Sequence, residues 1–183
     1  IINCYFKTNE RCFKYPSLIK SGVVLGKQSD LIHTYITKSE NGQDQKYTAT
    51  SKSDGEAANT RFNSYPTSPE NRVMIHHALR RSGVGDAEVN IATSLPVSEY
   101  YFNDGPNKAL IEQKTVNVMI PVVSSINEKC ANIVSSKVYP ESVSAWIDFL
   151  LDENGDYRVS SSKPSVIIDI GGRTTDTAKI LDG

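Results

Sequence analysis

The stretch from Ser165 to Gly183 limits this chain's possible folds more than any other. The apolar run Val166, Ile167, Ile168 leads directly into Asp169-Ile170-Gly171-Gly172-Arg173-Thr174-Thr175-Asp176. Val166 to Ile170 has the length and branched side chains of a buried strand. The glycine pair permits a tight turn whose backbone N–H groups can approach an anion closely. Thr174 and Thr175 add hydroxyl donors, and Thr177 to Leu181 reads as a returning strand. The unit is therefore a candidate phosphate-binding hairpin. It is neither of the glycine-rich phosphate loops that open a helix: there is no Gly-Lys-Ser/Thr, and no third glycine at dinucleotide spacing before a helical pattern. Asp169 stands at the carboxyl end of the first strand. A carboxylate there can hold the water shell of Mg2+, which prefers oxygen ligands and keeps most of its waters. On the glycines alone the segment would be a plain hairpin turn; the Asp and Thr residues around them favour phosphate.

A length of 183 residues suits one domain with a substantial core. The net charge is -1 and the pI near 6.4, so there is no basic excess of the kind that marks direct nucleic-acid binding. No run approaches the roughly 18 apolar residues of a membrane span, and no charged start precedes an apolar stretch. The chain reads as cytoplasmic, with no membrane partner.

The three cysteines, Cys4, Cys12 and Cys130, are too far apart to form a metal-ligand pair, and their odd number argues against a disulfide framework. Cys4 and Cys12 could face each other across a hairpin turning near Thr8-Asn9-Glu10, but reduced packing thiols suit a cytosolic chain better. His76 and His77 are adjacent on a predicted helix. They point about 100° apart, unlike a metal-gripping i, i+4 pair, and read as structural.

Short strand-like runs occupy Ile1 to Phe6, Cys12 to Tyr15 and Leu31 to Thr37, as in a small antiparallel ribbon. Ser39 to Pro69 is polar, with turn signals at Asn41-Gly42 and Asp54-Gly55. It reads as an exposed, partly mobile insertion around Tyr47 to Thr50, without a catalytic role. Ser68-Pro69-Glu70 predicts a helix start and Gly83 its stop. Glu88 to Leu95 reads as a strand and Asn107 to Asn117 as a helix with Leu110 and Ile111 available for packing. Val118 to Val123 and Asn132 to Val138 read as strands that could pair. Pro140 to Leu151 is an amphipathic helix with Val143, Trp146, Ile147, Leu150 and Leu151 along one stripe, and Asn154-Gly155 ends that element. The combination predicts an α/β fold, a mixed sheet covered by helices in one compact lobe.

Four blocks in this order carry a family resemblance: Asn71 to Leu79, Ser94-Leu95-Pro96-Val97-Ser98-Glu99-Tyr100-Tyr101, Val138-Tyr139-Pro140-Glu141-Ser142, and Asp169 to Asp176. The chain resembles the first lobe of an actin-like (ribonuclease H-like) ATPase, specifically of the ParM/StbA plasmid-segregation proteins. The likeness is strong from about residue 71 to 183 and lies earlier only in the rhythm of short strands. It implies that Asp169, Gly171, Gly172, Arg173 and Thr174 form the second phosphate-binding loop for ATP or GTP, with Mg2+ near Asp169 through water. It also implies that Glu141 orients the attacking water. Read from its position alone, Glu141 is a charge favoured by the helix dipole.

The same resemblance implies self-association into filaments, a DNA-binding partition adaptor as partner, and a bacterial cytoplasmic setting. The chain departs from the family pattern in two ways. Arg173 stands where a small hydroxyl residue is common. The first phosphate hairpin and the second, adenosine-binding lobe lie outside the 183 residues, so the expectation is a fragment: a partial first lobe with a variable polar insertion at about 39–69. Two other readings stand beside it, a non-catalytic interaction lobe with no useful ATP affinity, and a sugar or acetate kinase of the same superfold.

Overall fold

A computed structural model describes residues 18–24, 32–50, 60, 62–158, 164–170 and 175–181, together with the backbone of 2–6 and 11–15. The chain divides into two compact units, one of Ile1–Ile91 with Gln113–Ser136 and one of Ala92–Glu112 with Lys137–Gly183. The division falls within β6 (Glu88–Leu95), α3 (Lys108–Met119) and β10 (Asn132–Pro140).

In the first unit β1 (Ile2–Phe6) and β2 (Arg11–Tyr15) form an antiparallel ribbon. Its register sets Cys4 opposite Phe13 and Cys12 opposite Tyr5, so the two cysteines are not a facing pair. The expected turn at Thr8 to Glu10 lies outside the described residues. β3 (Leu18–Ser21), β5 (Asp44–Thr50), β4 (Ile32–Lys38) and β9 (Val122–Ser124) lie side by side in that order, each antiparallel to the next. α1 (Pro69–Arg81) packs on this sheet, and Ile19, Tyr35, Tyr47, Ala49, Val73, Met74 and Val122 form the core between them. Burying a side chain such as Met74 in full contributes on the order of 2 kcal/mol.

α1 starts and stops where its capping residues dictate. Ser68 is its N-cap and accepts a hydrogen bond from the Asn71 N–H at 3.2 Å; Pro69 supplies a pre-set backbone angle. Gly83, at φ +84°, takes the left-handed conformation that ends the helix. A second face of α1 contributes Leu79 to a cluster with Ala131 and Ile133, flanked by Ile75, Val84, Val89 and Ile91.

Three expectations change here. The polar stretch expected to be exposed contains β5, whose Tyr47, Thr48, Ala49 and Thr50 are all buried in the middle of the sheet. Thr48 survives burial because it is paired: Thr34 of β4 and Thr48 share a hydroxyl hydrogen bond of 2.9 Å, and Thr48 donates to the Gly22 carbonyl at 2.9 Å. Val118 belongs to α3 and not to a strand. The α3 residues that become buried are Lys114, Asn117 and Val118, while Leu110 and Ile111 remain half-buried. Finally, β9 pairs with β4 and β10 pairs with β6, so the two strands that could have paired with each other do not. Partner choice followed contacts distant in sequence, such as the 2.9 Å bond between Ser124 Oγ and His33 Nε2, which no local pattern shows.

The second unit contains α2 (Val97–Tyr100), the short hairpin of β7 (Tyr101–Phe102) and β8 (Gly105–Pro106), α4 (Glu141–Leu150), and the hairpin of β11 (Ser165–Ile170) and β12 (Thr175–Ile180). Asn103 and Asp104, at φ 50° and 62°, form the left-handed turn of the short hairpin. After α4 the chain turns at Asn154-Gly155, closed by the Leu151–Tyr157 bridge, as the turn signal predicted. Both α4 and α2 pack against the β11–β12 hairpin.

Candidate functional site

β10 ends at Pro140, which has no N–H to continue a ladder, and α4 begins at the next residue, Glu141. The N-terminal turn of α4 has no side-chain cap, so the positive end of the helix dipole acts directly on the Glu141 carboxylate. Ser144 Oγ donates to the Pro140 carbonyl at 2.8 Å and Ser142 is fully buried; together these hold the first turn. Glu141 itself is half-buried, and its Oε1 accepts a hydrogen bond of 2.9 Å from Ser94 Oγ near the end of β6. Leu95, the residue after Ser94, is fully buried, and Pro96 follows it.

Asp169 lies on β11, directly opposite Asp176 on β12. The ladder runs on to Ile170 opposite Thr175, and Gly171, Gly172, Arg173 and Thr174, between those two positions, lie outside the described residues. The expected strand and returning strand are thus present as an antiparallel pair, and the expected turn lies outside the described residues. The first strand, however, is not buried throughout. Ser165, Ile167 and Asp169 with their partners Ile180, Ala178 and Asp176 make one face, on which Ala178 is buried and Ile167 half-buried. The opposite face exposes Val166, Ile168 and Ile170 at 64%, 59% and 78%. Side chains alternate along a strand, so one helix layer covers one face only.

Asp169, exposed, and Asp176, half-buried, therefore lie on the same side as Ile167 and Ala178, at the end of the hairpin nearest the connection, and α4, which starts with Glu141, packs against the same strand. Like charges directly opposite each other in an antiparallel pair repel, which a bound cation would offset. Two hard carboxylate oxygen donors suit Mg2+, which takes one or two carboxylates and fills its other positions with water or phosphate oxygens. No three His, Cys, Asp or Glu side chains cluster among the described residues, so a site built wholly of protein ligands is not what they form.

Glu141 and Asp169 are thus brought onto neighbouring elements. The sequence reading missed Ser94 and Asp176 as their partners. Asp176 could have been found by counting symmetrically outward from the four residues between the strands. Ser94 had no local signal, because its approach to Glu141 depends on β6 and β10 lying side by side.

The chain has the actin-like fold. Its solved counterparts include the actin-like protein Alp7A, with a TM-score of 0.69 and 12% identity over 95% of this chain. They also include the archaeal actin homologue Ta0583, at 0.64 and 18% over 94%, and apo pSK41 ParM, at 0.62 and 16% over 95%. The matched regions amount to 52%, 52% and 57% of those proteins, so the chain spans about half their length. Residues 32–152 match the family model of the plasmid segregation protein ParM, N-terminal domain. The chain belongs to that family. The match includes residues 39–69, which therefore lie within the family domain. No curated protein matches the sequence.

Proposed function

We propose that the complete polypeptide bearing this chain is an actin-like ATPase whose filaments drive plasmid partition, with residues 1–183 serving as part of its first lobe. One observation carries the catalytic part of this reading. In a ParM-family chain, a glutamate at an uncapped helix start is held by a hydroxyl from a neighbouring strand, and its helix packs against the strand bearing Asp169.

Glu141 is the residue that orients the attacking water, as phosphoryl transfer to water requires. Asp169, assisted by Asp176, holds Mg2+ through its water shell, and Gly171, Gly172, Arg173 and Thr174 supply the phosphate contacts. A bound Mg2+ would supply charge neutralisation at the phosphates. The partners of this reading are further copies of the protein and a DNA-binding adaptor, and ATP is the nucleotide, with GTP the alternative. The family match favours segregation over the kinase reading.

The test is turnover of the complete polypeptide. Glu141→Gln lowers kcat by at least about tenfold while ATP binding survives, because the amide keeps the shape but loses the charge that aligns the water. Unchanged turnover removes Glu141 from the mechanism.

A further inference from the structure

We infer that Ser94 is a positioning residue for this hydrolysis, acting through Glu141; the inference rests on the role of Glu141 proposed above. A carboxylate that orients water must keep one oxygen pointed at it through every turnover. Glu141 is only half-buried, and the N-cap of its helix, Pro140, makes no side-chain capping bond. The group that does so comes from 47 residues earlier in the chain: Ser94 Oγ, 2.9 Å from Glu141 Oε1. A hydroxyl donating to Oε1 fixes the side-chain torsions and leaves Oε2 as the acceptor for water.

Both ends of this bond are anchored. Ser94 precedes the fully buried Leu95 in β6, and Glu141 precedes the fully buried Ser142 in a turn closed by the Ser144 bond to Pro140. The geometry therefore comes from rigid elements, which is what a positioning contact needs. In the step served, the water oxygen bonds to the terminal phosphorus as the bond to the bridging oxygen breaks, and ADP leaves. One water proton stays on the product phosphate, and the other reaches solvent by way of Oε2 of Glu141.

A brace that merely joined β6 to α4 would change stability and leave the chemistry alone, so the experiment separates the two. In the complete polypeptide, kcat, the KM for ATP and the melting temperature are measured for Ser94→Ala, Ser94→Thr, Glu141→Gln and the Ser94→Ala/Glu141→Gln pair. Ser94→Ala is expected to lower kcat roughly three- to tenfold with KM and melting temperature near wild type. Ser94→Thr, which keeps the hydroxyl, retains at least about half of the wild-type kcat, and the double variant is no slower than Glu141→Gln alone.

Wild-type kcat in Ser94→Ala overturns the inference, as does the same fractional loss in the Glu141→Gln background or a loss that tracks a lowered melting temperature. In each case a slow Glu141→Gln leaves the wider reading standing. A Glu141→Gln variant with normal turnover brings down both.

Discussion

His76 is 3% exposed on α1, and neither ring nitrogen makes a hydrogen bond of regular geometry. Burial pulls its pKa down to about 4; the Val118 backbone opposes that shift and Arg72 adds to it. The unfolded chain binds a proton at His76 near pH 6.5 and the folded chain does not until about pH 4, so stability is lost as pH falls across that interval. The slope has a ceiling of about 1.4 kcal/mol per pH unit from this one group. Denaturant melts between pH 4 and 7 should show the decline, and His76→Gln should flatten it; an equally steep decline in the variant assigns the effect elsewhere. His77, one residue on, shares a 2.9 Å hydrogen bond with the Tyr35 hydroxyl. The adjacency of the two histidines excluded a paired metal grip from sequence alone. Their burial and the identity of Tyr35 as a partner did not follow from it, because Tyr35 is 42 positions away.

Among the elements, α1 was legible almost to the residue because helix ends are written locally: a hydroxyl before the first turn, a proline at its start, a glycine after its end. Ser68 does double duty, accepting from the Asn71 N–H and donating to the Tyr65 carbonyl at 2.9 Å. Ser68→Ala should therefore destabilise the fold by about 1 kcal/mol, within a range of about 0.5–2, read as a lower denaturation midpoint at unchanged slope. A shift near zero would show that the cap is dispensable.

β5 was misread for the opposite reason. Asp44–Thr50 carries little apolar periodicity, and its place in the middle of a sheet depends on Thr34, Gly22 and Tyr35, which belong to other strands and loops. The β11–β12 hairpin lies between these cases. Its two strands were readable, whereas the exposure of Val166, Ile168 and Ile170 was set by what packs on each face.

For the whole molecule, the decisive quantity under the proposed function is how much of a nucleotide these residues could enclose. Small-molecule sites bury most of their ligand, but Asp169 and Thr175 are exposed, and the chain spans about half the length of its solved counterparts. If phosphates are held from one side only, as under the proposed function, the 183-residue polypeptide on its own binds Mg-ATP with a Kd on the order of millimolar or weaker. Isothermal titration calorimetry checks this, and a micromolar constant would mean that the chain completes its own site. No helix among the described residues is long and apolar enough to cross a membrane.

The caps of α1, the strands on either side of the Asp169 turn and the family blocks around Leu95 and Glu141 were all present in the linear chain. Each is encoded by residues within a few positions of one another, where steric and hydrogen-bonding preferences act directly. The pairing of β6 with β10, the burial of β5, the opposition of Asp169 to Asp176 and the Ser94–Glu141 bond came only with folding. Each of these joins groups whose proximity depends on closing a loop, and the free energy for that closure comes from core packing that no local segment contains.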